Sequence, residues 1–208
     1  MTQKADIKHK REAERGGHDF DLACEILDAG KLCHVGFTID GQPYVLPMAY
    51  ARMGDQLLIH GSVVSRLMKD LATGCRCCVT VTHFDGLVYA RSTFHSSMNY
   101  RSVMVFGSAR LITDMDEKRR GIQALVDHLM PGRRADLRNS TAKELNATHL
   151  LTLPIETFST KVRTGPPIDP KGDLDAPVWA GVVPLELTKG EAVDAPNLMA
   201  GVGRPDYL

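Results

Sequence analysis

Two short runs carry residue types that could do chemistry. The first is IHGSVVSRLMKD, residues 59–70. It reads as a strand feeding a helix. A helix start leaves backbone N–H groups free and carries the positive end of the helix dipole, which together suit a phosphate. Ser62 and Ser65 add hydroxyl donors. Arg66 adds a planar fork that matches phosphate geometry, and Lys69 adds a second cation one turn on. His60 and Gly61 end the strand beside this mouth. An ordinary capped helix start in water would look much the same, and no Walker loop is present.

The second run is SSMNYRSVMVFG, residues 96–107, a polar entry to a very apolar strand. Strand alternation puts Asn99, Arg101 and Val103 on one face and Tyr100, Ser102 and Met104 on the other. Asn99, Arg101 and Ser102 could hydrogen-bond a ligand at the strand edge. An edge kept polar against aggregation gives the same pattern. Just before it, Arg91 and His95 are the best candidates for touching a substrate, each with a structural role as the competing reading. Other constellations fail. Gly201-Val202-Gly203 has no strand before it and no helix after it, so it is not a dinucleotide fingerprint. No Gly-x-Ser-x-Gly elbow occurs. The histidines are scattered; His18, His128 and His149 read as surface or structural. Cys75, Cys77 and Cys78 crowd together, but CRCCVTV reads as a strand on which Cys77 and Cys78 face opposite ways, so they cannot share one ion.

The elements that must position these runs follow from periodicity. Asp19 caps a helix over FDLACEILDA, with Leu22, Ala23, Ile26 and Leu27 on one face and Gly30 as its stop. KLCHVGFTI turns at Asp40-Gly41 into PYVLPMAYA, which is apolar on both faces and predicts a buried strand. Met53-Gly54-Asp55 turns into QLLIHGS. Ser62 is placed as cap of a helix over Val64 to Ala72, ended by Gly74. CRCCVTVTHF and LVYARST are read as two strands either side of an Asp85-Gly86 turn, followed by NYRSVMVFGSARLIT. A capping box of Thr113 with Asp116 precedes a helix carrying Ile122, Leu125, Val126, Leu129 and Met130. THLLTLPIETFSTKVR is the last strand of this block. A loop over residues 165–177 leads to VWAGVVPLEL, which holds the single tryptophan, Trp179.

The whole is mainly β, with six or more antiparallel strands in a small barrel and flanking helices. Residues 1–18 are a flexible N-terminal segment, 19–165 the barrel domain, and 166–208 a C-terminal loop and tail that packs on the barrel or on a dimer partner. The chain has 208 residues, 25 basic and 25 acidic, hence zero formal net charge. Hydrophobic residues make up 43% and charged residues 24%, which argues for a folded chain over a disordered one. Zero net charge argues against a nucleic-acid binder. No apolar run reaches the roughly 18 residues of a membrane span. The polar N-terminus lacks a secretory pattern, and five cysteines, an odd number, point to free thiols in a reducing cytoplasm.

Taken together, LCHVGFTIDGQPYVLPMAY, LLIHGSVVSRLMKDL, NYRSVMVFGSARL and KVRTGPP followed by PVWAGVVPL make the chain similar to the pyridoxamine 5′-phosphate oxidase-like family of FMN-binding split β-barrels. It most resembles the flavin-nucleotide-binding, nitroimidazole-resistance-like branch. The resemblance implies a homodimer with FMN at its interface. It places the phosphate at Ser65 and Arg66, with His60, Gly61, Ser62 and Lys69 nearby. It sets the ring beside Pro47 and Met48 and against Arg101-Ser102-Val103, and leaves Trp179 to stack near the ring or to plug the core. The true oxidase has an Arg and a Lys where this chain has Val45 and Tyr50, and its C-terminal Arg-x-His motif is missing, so pyridoxamine phosphate oxidation is not expected. The expected function is an FMN-dependent oxidoreductase acting on a small molecule. The alternatives are a non-catalytic flavin carrier or redox sensor, a deazaflavin-dependent reductase and, more remotely, a haem-binding barrel.

Overall fold

The computed structural model describes residues 13–208; most of the segment expected to be flexible lies outside them. After a 3-10 turn at Ala13–Arg15, Gly16–Gly17 form a short strand, β1, where frayed chain was expected. Helix α1 is Phe20–Ala29, and the Asp19 side chain accepts from the Leu22 N–H at 3.0 Å, as an N-cap should. Strands β2 (Leu32–Ile39), β3 (Gln42–Met53) and β4 (Gln56–Ser62) form the meander. At the first hairpin Asp40 and Gly41 both have positive φ, 50° and 80°, the conformation a tight Asp-Gly turn requires.

Helix α2 is Arg66–Ala72. It begins later than the sequence suggested: Ser65 is its N-cap, and Ser62 is the last residue of β4. Strand β5 runs unbroken from Arg76–Tyr89, so Asp85-Gly86 is not a hairpin turn; it is a bulge between Phe84 and Gly86. Strand β6 is Ser97–Ser108, a short β7 is Arg110–Leu111, and α3 is Met115–Leu129. The cap of α3 is Asp114, which accepts from the Glu117 N–H at 2.7 Å, so the Thr113 capping box is not the one used. Helix α4 is Ala142–Asn146. THLLTLPIETFSTKVR splits into β8 (Thr148–Pro154) and β9 (Thr157–Arg163), and the tail supplies β10 (Gly181–Pro184).

All pairings are antiparallel. The order is β1-β9-β6-β5-β2-β3-β4-β8-β7, with β10 on β5. This is a curled sheet, mainly β, of the split-barrel kind. Alternation sorts its faces. Cys33, Val35 and Phe37 of β2, Cys77, Val79 and Val81 of β5, and Val103 and Val105 of β6 fill the inside. Helix α1 adds Ala23, Ile26 and Leu27, and α2 adds Leu67, Met68 and Leu71 to the same core. Helix α3 packs on the outer face at one end, where Leu125 meets Ala51, Leu58, Ile112 and Leu150.

The barrel also satisfies the carbonyls that α1 leaves open at its C-terminus. Tyr50 donates its hydroxyl to Leu27 O. The Nε2–H of His83 donates to Ile26 O at 2.9 Å, and that of His128 to Gly30 O at 2.6 Å. Cys77 faces the core and Cys78 the outer side, as a strand requires. Burial pushes the Cys33 and Cys77 thiols up to about 12, so both stay protonated and act as small hydrophobes. Among the described residues no helix is long and apolar enough to cross a membrane.

Candidate functional site

Strand β3 is more open to a ligand than its sequence suggests, because only its C-terminal part is flanked by strands on both sides. Tyr50–Met53 pairs with β4, whereas residues 42–49 pair with β2 alone. The other edge of that half has no strand beside it. Pro43 and Pro47, which have no N–H to give a ladder, sit there without loss. The expectation of a fully buried strand is therefore corrected: Val45 is 65% exposed, and Leu46 and Pro47 are exposed too. An apolar strand that meets water on both faces lacks a cover that the single chain does not supply.

The register places five strands side by side on the outer face. Met104 of β6 lies opposite Thr80 of β5, Thr80 opposite His34 of β2, and His34 opposite Pro47 of β3. His60 of β4 continues the row of Leu58, on the same outer face, next to the free half of β3. Its Nδ1 is buried without a hydrogen-bond partner, and burial holds the imidazole below the ordinary histidine range. It is thus neutral near pH 7. Tyr100 and Ser102 share this face, and Ser102 donates its hydroxyl to Lys161 O at 3.2 Å. Exposed Leu32, Phe84, Met98 and Met104 make the face apolar.

At the rim, the start of α2 meets β3. Ser65 donates its backbone N–H to Ser62 O at 3.0 Å, while its hydroxyl makes no capping bond. The Arg66 side chain is 65% exposed and its guanidinium lies over the Tyr44 ring, 5.2 Å from the centroid. Tyr44 in turn stacks on Phe37 at 5.4 Å. The stack holds Arg66 at the mouth with its N–H fork open to solvent, and the nearest carboxylate, Asp70, is 3.8 Å away. Lys69 is exposed on the next turn. Gly61 brings α2 close, since a Cβ there would stand 2.7 Å from Met68 Cγ. Gly61, Ser65, Arg66 and Lys69 therefore gather where β4 enters α2, with Ser62 exposed at the strand end and His60 turned to the outer face.

The second run divides. Asn99 is buried and committed: its amide nitrogen donates to Gly165 O at 3.2 Å and its oxygen accepts from Arg163. Arg163, buried too, also donates to Gly165 O and Pro166 O, tying the loop after β9 to the sheet. Arg101 points to the inner side and grips Asp85 with two bonds of 2.9 and 2.8 Å, beside a cleft of about 580 Å³ that Leu185 and Leu187 help to line. Met48 also faces inward, against the core. So Arg101, Asn99 and Met48 are not brought onto the face that holds His60, Pro47 and Ser102.

Arg91 donates from its backbone and its guanidinium to Asp169, both at 2.8 Å. His95 Nδ1 meets Ser92 Oγ at 2.7 Å, with its ring edge-on to Phe94. Both residues hold the loop between β5 and β6. Trp179 is 66% exposed, against Tyr89 at 5.6 Å, so it is no core plug. Sequence reading missed His34, although its alternation with buried Cys33 and Val35 marks it as outward. It also missed the Tyr44 platform, which no local pattern announces.

A family model described as pyridoxamine 5′-phosphate oxidase matches residues 19–162. The FAD and heme binding protein from Mycobacterium smegmatis is 42% identical over 93% of this chain and 95% of its own, with a TM-score of 0.89. The flavocytochrome Anf3 from Azotobacter vinelandii is 40% identical over 98% of this chain and 95% of its own, with a TM-score of 0.91. A protein assigned to 5-nitroimidazole antibiotic resistance from Bacteroides thetaiotaomicron shares the fold at 24% identity, over 71% of this chain and 86% of its own, with a TM-score of 0.61. No curated protein matches the chain.

Proposed function

The chain belongs to the pyridoxamine 5′-phosphate oxidase family, and we propose that it is a flavin-binding oxidoreductase of the flavocytochrome kind, holding a flavin nucleotide together with a haem. Family membership gives the scaffold and not the reaction. With Val45 and Tyr50 at the positions noted above, pyridoxamine phosphate is not the substrate read here. The observation that carries the proposal is the open half of β3: its outer face holds exposed Val45 and Pro47 near neutral His60 with its buried unpartnered nitrogen, and at its rim exposed Arg66 stands over inward-facing Tyr44.

The residues fit both groups. Arg66, Lys69 and the unused Ser65 hydroxyl supply a charge-matched seat for a flavin phosphate. Pro47, Val45 and the free edge of β3 offer an apolar wall and backbone polar groups for a ring. FAD is favoured over the FMN first expected, because a relative 42% identical over 93% of this chain is an FAD and heme binding protein by name, while the other, at 40%, is named a flavocytochrome. Neutral imidazole is the form that ligates haem iron. His60 is the first candidate ligand and His34, on the same face, the second. Bound together, a flavin and a haem supply two-electron and one-electron redox chemistry. The chain's own part is to seat the phosphate, to keep water off the ring and to hold His60 unprotonated.

The open half of β3 and the exposed Leu32, Val45, Met98 and Met104 give the outer face an apolar character that a partner surface would cover. A second copy covering it is the proposed homodimer. The free thiols fit a cytoplasmic site of action.

Protein expressed with a haem precursor, then characterised by absorption spectrum and by mass of the released ligands, tests this. Flavin bands, a Soret band and an FAD mass are expected, and His60→Ala should lose the Soret band and keep the flavin. Flavin without haem in the wild type would reduce the reading to a flavoprotein. A deazaflavin mass, or no chromophore at all, would overturn it.

A further inference from the structure

The C-terminal tail lies beyond the segment that matches the family model, yet it builds a cavity of its own. After β10 the chain returns to the end of α3 and is latched there by Tyr207. The Tyr207 hydroxyl donates to Asp136 and accepts from Arg133 Nη1 at 3.0 Å. Its side chain lies close against Gly132, whose φ of 90° and missing side chain permit the approach. Two turns, Ala195 to Leu198 and Met199 to Val202, then hold the tail off the helix. Between tail and helix lies a cleft of about 610 Å³. That is within the range of small-ligand sites, roughly 300–1,000 Å³.

The chemistry of the lining is two-sided. Leu129, Met130 and Pro131 form one wall, and Leu198, Val202 and Leu208 the other. Four cations edge it: Lys31, Arg133, Lys189 and Arg204. Asp194 neutralises Arg204 at 2.9 Å, and Asp136 lies 3.6 Å from Arg133. The two lysines have no carboxylate partner among the described residues. Lys31 donates to His128 O at 2.6 Å and Lys189 to Tyr207 O at 3.3 Å. Each ammonium has three N–H donors, so each keeps two for something else. A largely apolar cleft with two unspent ammonium groups at its rim complements a molecule with one hydrocarbon end and one anionic end.

We propose that this cleft is a second ligand site, independent of the redox site, that binds an amphipathic monoanion: a carboxylate carried on a hydrocarbon chain. The chain lies between α3 and the tail, and the carboxylate sits between Lys31 and Lys189. Neither lysine belongs to the flavin or haem seat described above.

Calorimetric titration of the full-length protein with decanoate, kept below its micelle concentration, tests the proposal. Decanol and decyltrimethylammonium serve as neutral and cationic counterparts. Saturable one-to-one binding of decanoate is expected, with decanol weaker by about tenfold and the cation weaker still. One hydrogen bond to a charged group sets that scale. Lys189→Glu should weaken decanoate by about tenfold and leave decanol unchanged, and Leu198→Trp, which fills the cleft, should weaken both. Cofactor content should be the same in all three proteins. No saturable binding of decanoate would overturn the site. Equal affinity for decanoate and decanol, unmoved by Lys189→Glu, would overturn the role of the rim. Binding that survives Leu198→Trp undiminished would place the ligand elsewhere.

Discussion

Gly61→Ala is the most informative single change, because it probes how the fold places the anion seat. The added Cβ would lie 2.7 Å from Met68 Cγ, 3.1 Å from Sδ and 3.8 Å from Cε. Carbon atoms prefer about 3.5–4.0 Å, so Met68 has to retreat by about 1 Å. It has little room, being fully buried between Leu67 and Leu71 in the barrel core. The overlap is at Cγ, close to the backbone, so the flexible end of the side chain cannot relieve it alone. Helix α2 is pushed outward and Ser65 and Arg66 move with it. Overpacking of this kind costs about 1–3 kcal/mol. For a chain of this size that lowers Tm by roughly 2–12 °C. Flavin affinity should fall in step. The control is a double-mutant cycle with Met68→Ala, which opens the space that the new methyl needs. The double variant should be less destabilised than the two singles added together, by about 0.5–3 kcal/mol, and should recover flavin affinity. Strict additivity, or an unchanged Tm for Gly61→Ala, would refute the packing argument. An affinity loss that Met68→Ala does not restore would mean that Gly61 is bare for the ligand and not for the helix.

Two further expectations follow from the same geometry. Arg66→Ala should weaken binding of FMN or FAD by about 1.5–3 kcal/mol in a fluorescence titration while leaving riboflavin, which has no phosphate, nearly unaffected; an equal loss for both would remove Arg66 from the phosphate seat. Stability should decline with acidity: burial holds His60 and His128 below their ordinary range, so under about pH 6.5 the unfolded chain takes up protons that the folded one refuses. The stabilising contribution is complete above that pH and is lost as pH falls, which urea midpoints at neutral and mildly acid pH will read, and which His60→Asn should flatten.

Much of the fold is written in local signals. Asp19, Gly30, Asp40-Gly41 and Gly54 mark helix and hairpin ends through caps and positive φ, and those ends are where they were expected. The Asp85-Gly86 pair misleads because a bulge and a hairpin use the same residue types; only the pairing of β6 along the whole of β5 separates them. The split of the last run into β8 and β9 is likewise set by partners distant in sequence, β4 for one and β6 for the other. At the site, the order His60, Gly61, Ser65, Arg66 could be read because a strand–helix junction is continuous in sequence. Asn99 and Arg101 were open to a ligand role only as long as Arg163 and Asp85 were unseen. Tyr44 under Arg66 joins two elements across the barrel rim, and His34 joins His60 on one face only through the strand order.

The pairing of β4 with β8 also fixes an order of events in time. The two strands lie roughly 90 residues apart in sequence, and Val63, at the entrance to α2, donates its N–H to Ala147 O at 3.1 Å. At typical rates of synthesis, β4 waits on the order of 5–20 s for its partner to be made. Until then Leu57 and Ile59 have no neighbour on that edge, and the entrance to the helix that presents Arg66 lacks its bond from Val63 to Ala147. The meander, α1 and the β5–β6 hairpin can form earlier from nearer contacts. The entrance to α2 at the candidate site is therefore among the last parts of the molecule to be completed, and a chain truncated before β8 should lose ligand binding there even where its nearer contacts form.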